Sequence, residues 1–305
     1  MDLETLEVVK NLPLFRQEKK EQTKIEGKET EVRMIPIDEE DKSLEIVPLD
    51  KEKKSRFLIN YGEKKYLLNI DKEGATKELD VWLILTEKGL EKYRPNLYYI
   101  DPNFDFTISH FYEGYTSIDQ LDLSMMDKEM ISMYLLQLNK DFHTVQSNEF
   151  NLREVIQNEF VHGISVCHGD GVLSEEEAGT ILSFINRVDF GKVATYNHQE
   201  ITMENILYNK ETKDTKVIHM EQARYGVPIY DYLYMLKTLD EDISRVFLPE
   251  LKESDPQVIQ IISLLCDINI YCKNRDKGMH VDMNLQDIHD QVSALQAQMT
   301  TLRNK

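Results

Sequence analysis

The spacing of apolar residues changes near residue 117, and this change limits the folds that the chain can adopt. Between 44 and 116, short β-rich runs alternate with turn signals, and one helical stretch interrupts them. Beyond 117, apolar residues recur at helical spacing over longer stretches. This order predicts an α+β protein, with a small antiparallel sheet lobe that carries one helix and then a larger, mostly helical lobe.

The predicted sheet lobe has five strands. Its central hairpin lies within 55–70, where Tyr61-Gly62-Glu63-Lys64 separates two β-rich runs. The helix is predicted over 75–90, with Gly89 as its stop and an apolar face made of Leu79, Trp82, Leu83 and Leu85. The other strands are predicted at 44–49, 96–101 and 106–116, with Asp101-Pro102-Asn103 as the last turn.

The helical lobe is predicted from four long stretches. An amphipathic helix covers 125–145, and a helix over 174–188 begins with a capping box made by Ser174 and Glu177. The stretch 256–272 is apolar on nearly all faces, which indicates a central buried helix. The apolar stripe in 285–302 is expected to pack on the same domain, although a short dimerising coiled coil is an alternative.

Composition excludes several classes of protein. The net charge of -19 argues against a nucleic-acid partner and is compatible either with a cationic ligand or simply with a solvated surface. The three cysteines, Cys167, Cys266 and Cys272, form no CxxC pair, so we expect free thiols in a cytoplasmic protein. The sequence shows no export signal and no apolar run of about 18 residues that would span a membrane. Residues 1–43 are rich in charge and are interpreted as an added N-terminal segment.

Two short segments carry the strongest functional signal. YNHQEITMENILYN (196–209) places His198, Glu200 and Asn205 just before an apolar run. VIHMEQARYGVPIYDYLYM (217–235) is a second apolar run that ends on polar groups. A loop with a base and an amide ligand, followed by a strand that delivers a metal carboxylate, is the layout of a phosphoryl-transfer site. Here Glu200 stands in place of the base Asp, and His219 stands in place of the metal Asp.

These motifs and the order of the elements resemble the choline and ethanolamine kinases of bacteria and, more distantly, the aminoglycoside phosphotransferases. The resemblance covers about 44–240 and implies a two-lobed protein-kinase-like fold, with 44–116 as the nucleotide lobe and 117–305 as the helical lobe. NHQEITMENIL corresponds to the HxDxxxxN loop of that family, and IHMEQARYGVPIYDY corresponds to its IDxE strand and following Asp. ATP and Mg²⁺ are the implied cofactors if the protein is active.

The resemblance assigns expected roles to individual residues. Glu200 would be the catalytic base and His198 would brace its loop, while Asn205, His219 and Glu221 are the positions expected to hold the metal ion. Glu221 would lie on the same side of an extended strand as His219. Tyr230 and Asp231 correspond to part of a cation-binding substrate site. The positions expected to bind the nucleotide are Asn69, Glu78, His110, Phe111, Tyr112 and Glu113.

Four departures from the family pattern lie in both lobes. The segment Asp50-Lys51-Glu52-Lys53-Lys54 replaces a phosphate loop but contains no glycine. Asn69 stands where the third strand would carry a cation. Glu200 is one methylene longer than Asp, and the imidazole of His219 is a poor ligand for Mg²⁺.

Two functional hypotheses follow from these departures. The first is a kinase-like pseudoenzyme that binds a small cationic molecule or a protein partner without efficient phosphoryl transfer. The alternative is an active ATP-dependent kinase for a small cationic alcohol such as choline, ethanolamine or an aminoglycoside, with Glu200 as base and Asn205 with Glu221 as metal ligands. An assembly role through the helix at 285–302 is a third interpretation.

The stretch CHGDGVLSEEE (167–177) imitates functional motifs without their context. His168-Gly169-Asp170 resembles a phosphotransferase HGD, but Glu175 stands where the loop would need Asn. As an EF-hand loop the stretch would begin with Val166, which offers no side-chain ligand for calcium. A helix N-terminus is the better interpretation, and His162 and His168 are expected to be surface residues.

Overall fold

The computed structural model describes residues 44–49, 56–70, 72–101, 105–279 and 282–303. The predictions for 1–43, for the segment 50–54 and for the turn at Pro102 and Asn103 lie outside the described residues. Contacts divide the chain into two units: the first reaches Leu79 and includes Pro95–Glu113, and the second contains Asp80–Arg94 and the chain from Gly114 onward. No helix among the described residues is long and apolar enough to span a membrane.

The first unit contains an antiparallel sheet of five described strands in the order β1-β2-β3-β5-β4. Its strands are β1 (Leu44–Pro48), β2 (Arg56–Tyr61), β3 (Lys64–Asn69), β4 (Leu97–Ile100) and β5 (Thr107–His110). Tyr61 pairs with Lys64, which confirms the predicted hairpin, and Gly62 supplies the positive φ of +58° that the tight turn needs. Alternate residues face one core: Phe57, Ile59, Tyr66, Leu68 and Ile108 are buried.

Helix α1 (Lys72–Glu87) joins the two units. The sequence placed the whole helix in the sheet lobe, but the contacts assign the residues from Asp80 onward to the second unit. The reason is packing, since Val81 and Leu85 are buried in the core of the second unit. The predicted apolar face is partly wrong, because Leu83 is half exposed and Ala75 is buried instead. The chain leaves the helix at Gly89, which has φ of +72°.

The second unit is mostly helical, as predicted. Its helices are α2 (Met125–His143), α3 (Leu152–Gly169), α4 (Glu175–Ile185), α5 (Tyr230–Thr238), α6 (Glu241–Ser244), α7 (Pro256–Asp276) and α8 (Asp282–Arg303). Capping boxes start α2 at Ser124 and α4 at Ser174, the second of which the sequence predicts. Helix α7 buries residues on most of its faces, among them Ile261, Leu265 and Ile268, which confirms its central position.

The apolar stripe of α8 is buried within the chain. Ile288, Val292, Leu295 and Met299 belong to the same hydrophobic core as α3, α4 and α7. The prediction that this stripe packs on its own domain is therefore confirmed for these residues. Because the core already covers them, they do not offer the seam that the alternative coiled-coil dimer would need.

Two small sheets support the loop between 198 and 205. One has the order β10-β9-β6 and contains β6 (Thr116–Ser117), β9 (Ile206–Asn209) and β10 (Asp214–Val217). The other has the order β11-β8-β7 and contains β7 (Gln146–Ser147), β8 (Ala194–Asn197) and β11 (Arg224–Gly226). The loop leaves β8 at Asn197 and enters β9 at Ile206, so both of its ends are held by strand pairing.

Candidate functional site

The loop between β8 and β9 is anchored by a buried acid on α5. Asp231 accepts hydrogen bonds from the backbone amides of His198, at 2.7 Å, and Gln199, at 2.8 Å. Burial raises the pKa of Asp231 to about 6, and the two backbone hydrogen bonds oppose that shift. Gln199 has φ of +72°, a conformation that a non-glycine residue adopts only when its surroundings impose it.

The two positions expected to bind substrate lie inside the helical core. Both oxygens of Asp231 are occupied by the loop amides, and the residue is 1% exposed. The hydroxyl of Tyr230 accepts a hydrogen bond from Asn269 at 2.8 Å, and its ring stacks on Tyr234 with centroids 5.9 Å apart. This geometry favours a bracing role for Asp231 and a packing role for Tyr230 over direct contact with a ligand.

His198 is also buried within the loop. Its Nδ1 accepts a hydrogen bond from the backbone amide of Glu200 at 3.4 Å. Burial lowers the pKa of His198 to about 4, and the nearby Glu221 carboxylate only partly offsets this effect. The imidazole is therefore neutral near pH 7, which suits a bracing residue.

Asn205 closes the loop from its other end. Its Nδ2 donates to the backbone oxygen of Glu200 at 3.0 Å, and its own backbone oxygen accepts from Ile218 at 2.9 Å. The amide oxygen Oδ1 accepts no hydrogen bond within the described part of the chain. Asn205 thus fixes the backbone at Glu200 and keeps one oxygen available as a ligand.

The carboxylate of Glu200 forms an ion pair that the sequence did not reveal. Lys273, near the end of α7, places its Nζ 3.1 Å from Oε1 of Glu200, and the side chains are 34% and 24% exposed. The same Nζ donates to the hydroxyl of Tyr234 at 3.1 Å and lies 5.0 Å from the centre of its ring. Burial lowers the pKa of Lys273, whereas the Glu200 carboxylate raises it. Lys273 lies far from the 196–209 motif in sequence, so no spacing signal points to it.

A second ion pair joins the same helix end to the loop. Lys277, which follows α7, places its Nζ 2.8 Å from Oε2 of Glu204, in an exposed position. The two carboxylates of the loop are therefore both matched by cations at the end of α7. Of the two pairs, only that of Glu200 is partly shielded from water, so it is the stronger electrostatic contact.

The structure corrects the expected geometry of His219 and Glu221. Strand β10 ends at Val217, and His219 has φ of 62° and ψ of 54°, so Met220–Gln222 form a 3-10 turn instead of a continued strand. A left-handed residue cannot continue an extended strand, and Glu221 consequently turns back toward His219. Its Oε1 lies 3.3 Å from Nδ1 of His219.

These residues fit a magnesium ion poorly. Mg²⁺ prefers hard oxygen ligands in an octahedron, but the available donors are one amide oxygen from Asn205, an imidazole from His219 and a carboxylate already held by that imidazole. Among the described residues, no group of three or more His, Cys, Asp and Glu side chains is arranged to hold a metal ion.

The positions expected to contact a nucleotide lie in the first unit. Asn69 pairs with Thr107 and with Arg56 in the sheet, and Glu78 accepts a hydrogen bond from the Thr107 hydroxyl at 3.0 Å. Thr107 is thus next to Asn69 in the sheet and is also bonded to Glu78 on the helix.

Most backbone amides of the expected hinge segment, 110–113, already donate hydrogen bonds within the first unit. His110 donates its amide to Asn96 at 3.0 Å, Phe111 donates to Lys65 at 3.1 Å, and Glu113 donates to Phe111 at 3.1 Å. Tyr112 follows Phe111 in this segment, and the Glu113 side chain pairs with Lys65 at 2.8 Å. An adenine ring at this segment would have to compete for donors that are already paired.

The HGD sequence at 168–170 has a structural role. Asp170 follows the end of α3 and accepts hydrogen bonds from Tyr271 and Arg275 of α7, each at 3.0 Å. His168 contacts the backbone oxygen of Leu173 at 2.9 Å through Nδ1. The expectation of a helix boundary here is confirmed, because α3 ends and the capped α4 begins within this stretch.

Comparison with solved structures shows what fold this is. The chain superposes on choline kinase LicA from Streptococcus pneumoniae with a TM-score of 0.58 and 14% identity, covering 82% of this chain and 94% of that one. The gentamicin complex of APH(2")-IIa gives a TM-score of 0.60 and 16% identity over 97% of this chain and 96% of that one. The aminoglycoside phosphotransferase APH(4)-Ia, bound to ADP and hygromycin B, gives a TM-score of 0.59 and 14% identity, covering 83% of this chain and 92% of that one.

No family model matches the sequence, and no curated protein matches it. The structural likeness nevertheless confirms the predicted fold: the chain has the two-lobed, protein-kinase-like fold of choline kinase and the aminoglycoside phosphotransferases. At these levels of identity, the likeness establishes the fold and leaves the chemistry to the residues of the site.

Proposed function

We propose that this protein is a kinase-like pseudoenzyme that binds a small ligand or a protein partner without efficient phosphoryl transfer. The observation that carries the proposal is the ion pair between Glu200 and Lys273. A general base must reach the proton of the acceptor alcohol. Here the carboxylate at the position of the base already binds a cation of its own chain, so the acceptor would have to displace Lys273.

The donor set supports the same proposal. Phosphoryl transfer depends almost wholly on positioned charge, and the metal ions neutralise the charge that develops on the transferred group. His219 offers an imidazole where the fold would need a carboxylate, and it engages the neighbouring carboxylate of Glu221. We therefore expect any binding of nucleotide to be weak and independent of magnesium.

An active kinase for a small cationic alcohol is the second candidate, and the hydrogen bonds that still hold the loop between β8 and β9 favour it. Asp231 still braces the loop through two backbone amides, and Asn205 still fixes the backbone of Glu200. In this alternative, Glu200 would be the base, and Asn205 with Glu221 would hold the metal ion. A displacement of about 1 Å by the longer Glu side chain would slow transfer about a hundredfold.

The test combines binding with turnover. Calorimetry of the purified full chain with ATP and Mg²⁺ should give no tight, magnesium-dependent heat, and no phosphate should reach choline, ethanolamine or kanamycin. Glu200→Gln is the diagnostic variant, and Glu204→Gln in the same loop is its matched control, because Glu204 pairs with Lys277 in the exposed position. Turnover that Glu200→Gln abolishes and Glu204→Gln preserves would replace the pseudoenzyme by the active kinase.

A further inference from the structure

Helices α3 and α7 come unusually close at a glycine. A Cβ atom added at Gly163 would lie only 2.3 Å from Cγ2 of Ile268, which is far inside van der Waals contact. Only glycine permits the backbone of α3 to approach α7 at this point. Both residues are buried, so the two helices are packed tightly here.

The same pairing of positions continues along both helices. One turn beyond Gly163 and Ile268 stand Cys167 and Cys272, which are near enough for each thiol to shift the pKa of the other. Further along, Asp170 accepts hydrogen bonds from Tyr271 and Arg275 at 3.0 Å. Contacts thus hold the two helices together on both sides of the thiol pair. A disulfide requires Cα atoms within about 7 Å, a distance that close helix packing of this kind favours.

The two thiols differ in their access to solvent. Cys167 is fully buried in the core, whereas Cys272 lies at its edge and is partly exposed. The neighbouring Cys167 thiol holds the pKa of Cys272 below its usual value, although burial and the Asp276 carboxylate oppose this effect. The thiolate is the reactive form of cysteine, so Cys272 is the thiol that an oxidant in solution reaches first.

We propose that Cys272 and Cys167 form a site of reversible oxidation, in which a peroxide converts the two thiols into a disulfide that joins α7 to α3. In the first step, the Cys272 thiol loses its proton, the thiolate attacks one peroxide oxygen, and the O–O bond breaks to give a sulfenic acid and hydroxide, which takes up the lost proton and becomes water. In the second step, the Cys167 sulfur attacks the Cys272 sulfur, the S–O bond breaks, and the Cys167 proton leaves with the hydroxide as water. Two thiols and one hydrogen peroxide thus give one disulfide and two waters.

The position of the cross-link connects it to the loop. Cys272 is followed directly by Lys273, which pairs with Glu200. The disulfide therefore fixes the helix segment from which this cation reaches the loop. The chemistry of the thiol pair does not depend on whether the protein transfers phosphate, so the proposal stands apart from the proposed function.

The experiment uses the full chain and hydrogen peroxide. After denaturation and alkylation, the reduced protein should show three free thiols and the oxidised protein one, with a mass loss of two hydrogens and full recovery under dithiothreitol. Peptide mapping should find Cys167 joined to Cys272. Cys272→Ser and Cys167→Ala should each abolish the cross-link, whereas Cys266→Ala should preserve it, since Cys266 is buried elsewhere beside the backbone oxygen of Tyr230.

Two results would overturn the proposal. One is the appearance of sulfinic acid on Cys272 while Cys167 stays a free thiol, because a resolving thiol in contact would have captured the sulfenic acid first. The other is that peroxide removes as many free thiols from Cys272→Ser as it removes from the wild type. The unfolding temperature gives a second readout, since the oxidised wild type should unfold at least about 3 °C higher than the reduced one.

Discussion

Asp231 and His198 are joined by a hydrogen bond of 2.7 Å from the backbone amide of His198 to the carboxylate, and this bond ties helix α5 to the loop that follows β8. The amide of Gln199 donates to the other carboxylate oxygen at 2.8 Å. The left-handed backbone of Gln199 would not persist without such an anchor. Asp231 therefore determines the shape of the loop that presents Glu200, although it is buried away from solvent.

Replacing Asp231 by Asn should loosen this loop. Asn offers one acceptor oxygen for two backbone amides, so one buried N–H loses its partner, at a cost of about 1 to 3 kcal/mol. We expect a lower free energy of unfolding in urea and faster proteolysis within 198–205. Asp267→Asn is the control, because Asp267 is equally buried but pairs with Lys237 instead of the loop. Equal protection of the loop in Asp231→Asn and wild type would contradict this role.

Asp231 should also give the stability a characteristic dependence on pH. Its pKa rises from 3.8 to about 6 on folding, so the folded protein holds this proton more tightly than the unfolded chain. The contribution of Asp231 is therefore largest below about pH 4 and falls as the pH rises through about 6. The difference in unfolding free energy between wild type and Asp231→Asn should decline over this interval, as measured by urea denaturation at several pH values. If this difference in unfolding free energy instead grew with pH, the pKa of Asp231 would be lowered on folding, not raised.

Asp127 should show the opposite dependence. It accepts hydrogen bonds from Tyr208 at 2.6 Å, Ser124 at 2.7 Å and Lys213 at 2.9 Å, and the first of these contributes most to holding its pKa below the usual 3.8. Its stabilising contribution is complete above about pH 4 and is lost as the pH falls below that value. The difference between wild type and Asp127→Asn in acid denaturation should therefore shrink toward low pH.

Tyr208→Phe isolates the strongest bond to Asp127. Both groups are buried, so removing the hydroxyl should cost about 1 to 2 kcal/mol in the free energy of unfolding. Tyr115→Phe serves as the control, because Tyr115 makes a similar hydrogen bond to Asp214, which is much more exposed than Asp127. We expect Tyr115→Phe to lower the free energy of unfolding by less than Tyr208→Phe does. If both variants lost the same stability, burial of the Asp127 pair would not be the cause.

Local sequence signals predicted the fold because the elements depend on neighbours in the chain. Gly62 between β-rich runs specifies a hairpin, and Ser174 with Glu177 specifies a helix start, whatever surrounds them. Lys273 could not be found in this way. It meets Glu200 only after α7 packs across the loop, so the decisive contact of the site joins residues that are far apart in sequence. The burial of Leu85 and the exposure of Leu83 likewise depend on which unit covers the helix.

The ion pair of Glu200 leads to a prediction about ligand charge. Lys273→Met leaves a partly buried carboxylate beside the Tyr234 ring without its cation, and a carboxylate with an aromatic face attracts quaternary ammonium ions. We expect the variant to bind tetramethylammonium or choline at least about tenfold more tightly than wild type, as measured by calorimetry. Lys277→Met should leave this affinity unchanged, because Lys277 pairs with the exposed Glu204.

A second substitution tests whether Glu200 is the group that binds. Adding Glu200→Gln to Lys273→Met should return the affinity for tetramethylammonium to the level of wild type, since the carboxylate that attracts the cation is removed. An affinity that stays high in the double variant would place the cation elsewhere on this acidic protein. Unchanged binding in Lys273→Met itself would show that Lys273 does not compete with a cationic ligand.

Two glycines in neighbouring helices should respond to alanine with opposite signs. Gly163→Ala forces a methyl group into Ile268 on α7 and should destabilise the protein by about 1 to 3 kcal/mol through overpacking. Gly179, in α4, has nothing within 4 Å of the same added atom, so Gly179→Ala should stabilise the protein by up to about 1 kcal/mol through better helix propensity. Urea denaturation midpoints measure both effects.

Because the same contact brings Cys167 to Cys272, Gly163→Ala should also slow disulfide formation under peroxide, and Gly179→Ala should not. Stabilisation by both substitutions would show that α3 and α7 are not in close contact at Gly163.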